Sequence, residues 1–299
     1  MAFKSFADME QYILSNGIVK TIALACAQDD IALEAVVDAK RKGVVKGILI
    51  GDTDKIRALL AGLKEPESDY ELIECADELE SGRIAVRLVK EGKADIPMKG
   101  LMMTANFMRA ILNKEEGFLN PGDLLSQATV LEYADEARMQ IIADCAVNIA
   151  PDLEAKKKIT RNCINLAHQL GIEKPNVAFL SALEKVNPKM PSTVDAAELA
   201  QTEFDGAGAL AGPLALDITI SEEAAAHKGV SSPVCGHADI LIVPTIEAGN
   251  IFTKALTFYA HLKSAGTLNG TTHPVIMTSR TDTPEDKYYS ILCAILKAI

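Results

Sequence analysis

The sequence predicts an α/β protein of two domains, each a mainly parallel sheet between helices. Apolar runs of strand length alternate with segments of helical period, and short links join them. The alternation breaks at two places, Asn120-Pro121-Gly122-Asp123 and residues 266–272. Residues 1–122 plus 273–299 are therefore expected to form one domain, and 123–272 the other. The 299 residues leave room for both, at about 100–200 residues per domain.

Residues 21–27 read as the first strand, and 29–42 as a helix carrying Ile31, Leu33, Ala35, Val36 and Val37 on a mostly helical period. A strand over 47–50 ends at Gly51-Asp52, where a helix opens that runs to about 60. Strand 71–75 precedes helix 77–91, and the short strand 94–98 stops at Lys99-Gly100 before a helix over about 102–113. The second series has a strand at 140–147, a long helix at 152–170 after Pro151, a strand at 176–183 and a helix near 194–203. A Gly-rich loop (205–213), a strand (214–220), a short helix (222–228), a strand (238–243) and a helix (about 250–263) follow. Residues 274–299 return as a strand and a helix that opens at Thr283-Pro284.

Composition narrows the function classes. Hydrophobic residues make up 48% and charged residues 24%, which suits a large core. Aromatics are only 5% and Trp is absent, so Ala, Val, Ile, Leu and Met must fill that core. The net charge is −11, and the one basic triplet, Lys156-Lys157-Lys158, reads as a solvated helix face. No basic stripe for nucleic acid is present. An anionic substrate would have to be held by a few local Arg or Lys side chains and backbone N–H groups. No apolar stretch nears the ~20 residues of a membrane span. Met1-Ala2-Phe3-Lys4-Ser5 does not read as a signal peptide. Six scattered Cys, none in Cys-x-x-Cys, read as reduced buried thiols, which points to the cytoplasm. None of the five His is paired at metal-ligand spacing, and no metal is expected. Gly206-x-Gly208-x-x-x-Gly212 has the wrong spacing for a dinucleotide fingerprint.

Three strand-to-helix turns carry the chemistry. Ligands bind at the carboxyl ends of strands in open α/β sheets, and helix N-termini attract anions. In the first turn Thr278-Ser279-Arg280-Thr281-Asp282-Thr283-Pro284-Glu285-Asp286 places a hydroxyl, a guanidinium and carboxylates at such a point. Asp286 sits at N3, where it would also reciprocate a Thr283 cap. In the second, Lys99-Gly100 leads to Thr104 and Arg109; Gly100 permits close backbone approach, and the others offer donors. In the third, Pro244 stops a strand and Glu247-Ala248-Gly249-Asn250 approaches a helix start. Cys235 has no evident His or Asp partner and reads as structural.

Taken together and in this order, residues 95–112, 239–254 and 275–287 resemble the phosphate acetyl/butyryltransferases. Residues 205–229, including Gly212-Pro213-Leu214-Ala215-Leu216-Asp217-Ile218-Thr219-Ile220-Ser221, resemble the butyryl branch. The resemblance spans nearly the whole chain. It implies the reaction acyl-CoA + phosphate ⇌ acyl phosphate + CoA, with butyryl ahead of acetyl as the acyl group. It further implies two isocitrate/isopropylmalate dehydrogenase-like α/β domains with the active site in the cleft between them, and a homodimer or higher homo-oligomer. No cofactor beyond the substrates CoA and phosphate is implied. Matched residue by residue, Ser279 corresponds to a serine stabilising the oxyanion, Arg280 to an arginine near the phosphate and Arg109 to one binding the acyl phosphate. Asp286 corresponds to the base for the CoA thiol, with Asp282 close enough to compete. Lys99, Gly100, Thr104, Glu247, Asn250 and Asp282 are the remaining substrate-binding candidates. The dehydrogenases of similar architecture need metal-binding aspartates and a nicotinamide pocket, which the sequence does not offer.

Overall fold

A computed structural model describes residues 2–299. The chain forms two compact units. The first comprises Phe6–Asp123 with Ala265–Ile299; the second comprises Leu124–Ser264 with the residues up to Ser5. The described residues include no helix long and apolar enough to cross a membrane.

The first unit opens with α1 (Phe6–Ser15), then alternates β1 (Lys20–Ala25), α2 (Asp30–Arg41), β2 (Val45–Gly51), α3 (Thr53–Gly62), β3 (Glu71–Glu74), α4 (Glu78–Lys90), β4 (Ile96–Lys99) and α5 (Thr104–Ile111). Its strands lie in the order β3-β2-β1-β4, and every pairing is parallel. The central strands are buried on both faces, with Ile22, Leu24, Leu49 and Ile50 fully inaccessible, as parallel sheets under two helical layers require. Three of the helices start on an Asp. Asp29, Asp52 and Asp77 accept from the N–H of Ala32 (2.9 Å), Lys55 (3.1 Å) and Glu80 (2.8 Å), each cap contributing about 1 kcal/mol. α11 (Pro284–Lys297) closes this unit, packing on α2 and α1. Phe6 stacks on Tyr289 with centroids 4.2 Å apart.

The second unit contains β5 (Ser126–Tyr133), β6 (Arg138–Ala143), α6 (Leu153–Gln169), β7 (Val177–Leu180), α7 (Pro191–Leu199), β8 (Leu210–Leu214), α8 (Leu216–Ile220), α9 (Glu222–His227), β9 (Ile240–Ile242) and α10 (Ile246–Phe258). Within it the strands follow the order β5-β6-β9-β7-β8. β5 and β6 are antiparallel and the remaining pairs parallel. β10 (Ser264–Asn269) carries the chain from the second unit back to the first.

Several local expectations are corrected. β5 and α1 have no counterpart in the sequence reading. β5 is buried along almost its whole length while carrying Gln127, Thr129 and Glu132, so neither alternation nor an apolar run marks it. The Gly-rich stretch expected as loop contains β8, an edge strand, a place where Pro213 lacks a ladder partner to offend. Residues 216–220, expected as strand, form α8; the Thr219 hydroxyl donates to Leu216 O at 2.7 Å and holds the turn. Residues 264–269, expected as part of a loop, are β10. The expected strand from Pro274 shrinks to one bridge, Met98↔Ile276. α10 starts at Ile246, so Gly249 and Asn250 lie inside its first turns and not ahead of it.

Candidate active site

In the first unit three chain segments meet at the carboxyl ends of β1 and β4. Gly100 N–H donates to Ala25 O (2.8 Å) and Leu101 N–H to Cys26 O (3.0 Å). The segment before α11 docks on β4 through Lys99 N–H to Ile276 O and Ile276 N–H to Pro97 O, each 3.0 Å. Thr278, Ser279 and Arg280 therefore emerge beside Lys99 and Gly100. Only glycine fits at 100: a Cβ would stand 2.7 Å from Ala25 O and closer still to Cys26 O. Cys26 is buried, its N–H donates to the Ser81 hydroxyl at 2.8 Å, and burial pushes its thiol pKa up. The chemistry of that thiol is therefore muted.

The tail turn is built by its own carboxylates. Asp282 accepts the Ser279 N–H at 2.8 Å, which fixes the turn. Asp286 accepts the Thr283 hydroxyl at 2.6 Å, and the same Thr283 oxygen accepts the Asp286 N–H at 3.1 Å. The Thr283 N–H also reaches the Asp286 carboxylate, completing a capping box. Ser279 and Arg280 are exposed. The Ser279 hydroxyl meets that of Thr281 at 3.0 Å. The Arg280 guanidinium has no hydrogen bond or ion pair among the described residues, although its charge helps to lower the Glu78 pKa.

Two side chains behind this turn were not read from the sequence. Lys287 is buried and donates to the Thr278 hydroxyl (2.9 Å) and to Ser279 O (2.7 Å). Burial depresses its pKa against the pull of Asp282, Asp29 and Asp286. Lys99 is buried as well; burial and then the Lys287 charge lower its pKa. A lysine near the start of a helix opposes the dipole, and that anomaly was the available signal for Lys287. The other is Glu78, which accepts from Met103 N–H and the Asn106 amide, both at 3.0 Å. It caps α5, whose own N-cap makes no side-chain bond. Those bonds, the Met103 N–H first, hold its carboxyl below the usual range.

Thr104 is the first residue of α5 and is exposed. Arg109 lies in the last turn of α5, exposed, with no hydrogen bond or ion pair to the tail turn. The structure thus brings together Lys99, Gly100, Ser279, Arg280, Asp282 and Asp286, and leaves Arg109 at the far end of its helix.

The second unit carries its own turn. Glu247 is exposed near the start of α10; its own N–H and the Thr245 hydroxyl hold its carboxyl low. Asn250 donates to Cys145 O at 3.2 Å. Gly249 is pressed against the backbone at Asp144, where a Cβ would lie 2.5 Å from Asp144 O. Asp144, unmarked in the sequence, is 2% exposed. It gathers the N–H groups of Gln127 (3.2 Å), Ala146 and Val147 (2.9 Å each), Asn148 (3.3 Å) and the Asn148 amide (2.6 Å).

Comparison with known proteins adds identity. Residues 78–295 match the phosphate acetyl/butaryl transferase family. A phosphate butyryltransferase of Clostridium acetobutylicum is 44% identical over 298 residues, 99% of this chain and 98% of that one. A phosphate acetyltransferase of Thermotoga maritima is 42% identical over 281 residues, 93% of this chain and 95% of that one. The crystal structure of a branched-chain phosphotransacylase from Enterococcus faecalis superposes with a TM-score of 0.84 at 35% identity, covering 93% of this chain and 99% of the other.

Proposed function

This chain belongs to the phosphate acetyl/butaryl transferase family, and we propose that within it the chain works as a phosphate butyryltransferase. It is a phosphate acyltransferase, exchanging an acyl group between CoA and inorganic phosphate. The observation that carries the chemistry is Arg280, an exposed guanidinium with no hydrogen bond or ion pair among the described residues, at the turn beside buried Lys99. Guanidinium forks suit phosphate oxygens.

In the direction of acyl phosphate consumption, the CoA sulfur attacks the acyl carbon and the carbonyl π pair moves onto oxygen. Collapse of that tetrahedral centre re-forms the carbonyl and expels phosphate with the bonding electrons. The thiol proton passes to a carboxylate, for which we assign Asp286 as base and Asp282 as the alternative. The Ser279 hydroxyl stabilises the oxyanion, and Arg280 stabilises charge building on the departing phosphate. Both substrates are present in one ternary complex, and the chain forms no acyl intermediate. Arg109, Lys99, Gly100 and Thr104 are assigned to the acyl phosphate, and Glu247 and Asn250 to substrate binding on the second unit. This scheme calls on no metal or redox cofactor.

The butyryl preference is supported by the likeness of residues 205–229 to the butyryl branch. The similarity to the acetyltransferase of T. maritima favours acetyl as the second reading. Thiol release from acetyl-, propionyl-, butyryl- and isobutyryl-CoA, with and without phosphate, separates them. Butyryl-CoA is expected to give the highest kcat/KM, each methylene contributing about 1–3 kcal/mol of discrimination. A maximum at acetyl-CoA would install the second reading, and thiol release indifferent to phosphate would remove both.

A further inference from the structure

Three lysines among the described residues are buried: Lys99, Lys156 and Lys287. Lys156 is the ordinary case, held by the Asp195 carboxylate at 2.6 Å. Lys99 and Lys287, each 4% exposed, have no carboxylate in ion-pair contact among the described residues. Lys287 uses two of its N–H groups, on the Thr278 hydroxyl and Ser279 O. Lys99 uses one, on Gly100 O at a long 3.3 Å. Among the described residues, three N–H donors on two ammonium groups are thus left without a protein acceptor, directly behind the Ser279-Arg280 turn. The charged groups around the pair are Asp29, Asp282, Asp286 and Arg280, with Glu78 near Arg280. Among the described residues, neither Lys99 nor Lys287 lies in an ion pair with one of these carboxylates, although Asp282 and Asp286 have other partners. Two cations are seldom buried side by side unless an anion completes them.

We propose that Lys99 and Lys287 form a paired-ammonium seat for a tetrahedral oxyanion, with Lys99 contacting the anion and Lys287 positioning the Thr278–Ser279 backbone around it. That the anion is inorganic phosphate, or the phosphoryl end of the acyl phosphate, rests on the acyltransferase reading above. A CoA phosphate shares the same chemistry, and the experiment separates the two.

The test uses Lys99→Met, Lys287→Met and Lys287→Arg in the full chain, with inorganic phosphate as the probe. In the wild type, phosphate raises the melting temperature, as any ligand of the folded state does. Lys99→Met is expected to lose that shift and to raise KM for phosphate about tenfold or more, with KM for butyryl-CoA within about twofold. Both Met variants should melt no lower than the wild type without phosphate, because each removes an uncompensated buried charge. Lys287→Met should lower kcat along with phosphate affinity, and Lys287→Arg should restore part of it.

Wild-type phosphate affinity in Lys99→Met overturns the proposal, and so does a melting temperature that drops while phosphate KM is unchanged. A rise confined to KM for acyl-CoA, absent with dephospho-CoA, moves the seat to a CoA phosphate and also overturns it. If Lys287→Met does not fold, Lys99→Met decides alone. A wild type that binds phosphate without turnover removes the acyltransferase reading and leaves the seat standing. An active wild type with unaltered phosphate affinity in the variants does the reverse.

Discussion

Asp286 is assigned two tasks, and two substitutions separate them. Thr283→Ala removes the hydroxyl that donates to the Asp286 carboxylate at 2.6 Å and accepts the Asp286 N–H at 3.1 Å. It leaves the carboxylate in place. Loss of such a cap costs about 1 kcal/mol, or roughly 2–4 °C in the melting temperature for a unit of this size. Asp286→Asn keeps an oxygen able to accept from Thr283 and loses only the negative charge at the helix start, worth about 0.3–1 kcal/mol. The stability order is therefore Thr283→Ala at or below Asp286→Asn. Activity should order the other way. A positioned base contributes about 10²–10⁴-fold, so Asp286→Asn should lower kcat about a hundredfold or more and flatten the acid limb of the kcat/KM profile. Thr283→Ala should stay within about tenfold. The assay is phosphate-dependent thiol release followed with a thiol reagent across pH, beside thermal melts. If Asp286→Asn keeps kcat within about twofold of wild type, Asp286 is a cap alone and the base must be sought elsewhere, with Asp282 next.

Three further outcomes are expected. Gly100→Ala forces a Cβ to 2.7 Å from Ala25 O, and nearer to Cys26 O; it should destabilise by about 1–3 kcal/mol, read as a lower denaturant midpoint at unchanged m-value. Asp144→Ala strands the N–H groups of Gln127, Ala146, Val147 and Asn148; a loss of about 3 kcal/mol or more is expected in chemical denaturation. Lys99→Met should change the pH dependence of stability. The folded Lys99 pKa lies below 10.5, so between the two values the unfolded chain binds the extra proton and wild-type stability rises with pH. The excess stability of Lys99→Met over wild type should hence be largest at neutral pH and shrink as pH nears 10.5; an excess constant with pH would contradict the depressed value.

What the sequence revealed and what it hid follow from range. The strand–helix rhythm of the first unit is local, and three of its helices, α2, α3 and α4, start on an Asp that accepts an N–H three residues on. Gly100 and the Ser279–Asp286 turn are likewise spelled out in consecutive residues. Glu78 is different: its bonds reach Met103 and Asn106, 25 and 28 residues away. Asp144 meets Gln127 seventeen residues back, and β5 is recognisable only once β6 pairs with it. Lys287 stands out in the sequence only as a lysine near a helix start, and its burial against Thr278 is a tertiary contact the sequence does not show. β8 and α8 were exchanged for loop and strand because Gly212-Pro213 and Ile218-Thr219-Ile220 have propensities opposed to the structures they adopt.

The split of the first unit around Leu124–Ser264 has a consequence in the order of synthesis. Strands β1 to β4 leave the ribosome before the second unit, while α11 and the Ser279–Asp286 turn follow it. At 5–20 residues per second that interval lasts roughly ten to thirty seconds. Throughout it the face of α2 that α11 covers has only solvent or a chaperone against it, and the Ser279–Asp286 turn does not yet exist. A nascent chain stalled within the second unit would thus expose apolar surface while remaining inert, and both conditions would end with the arrival of one helix.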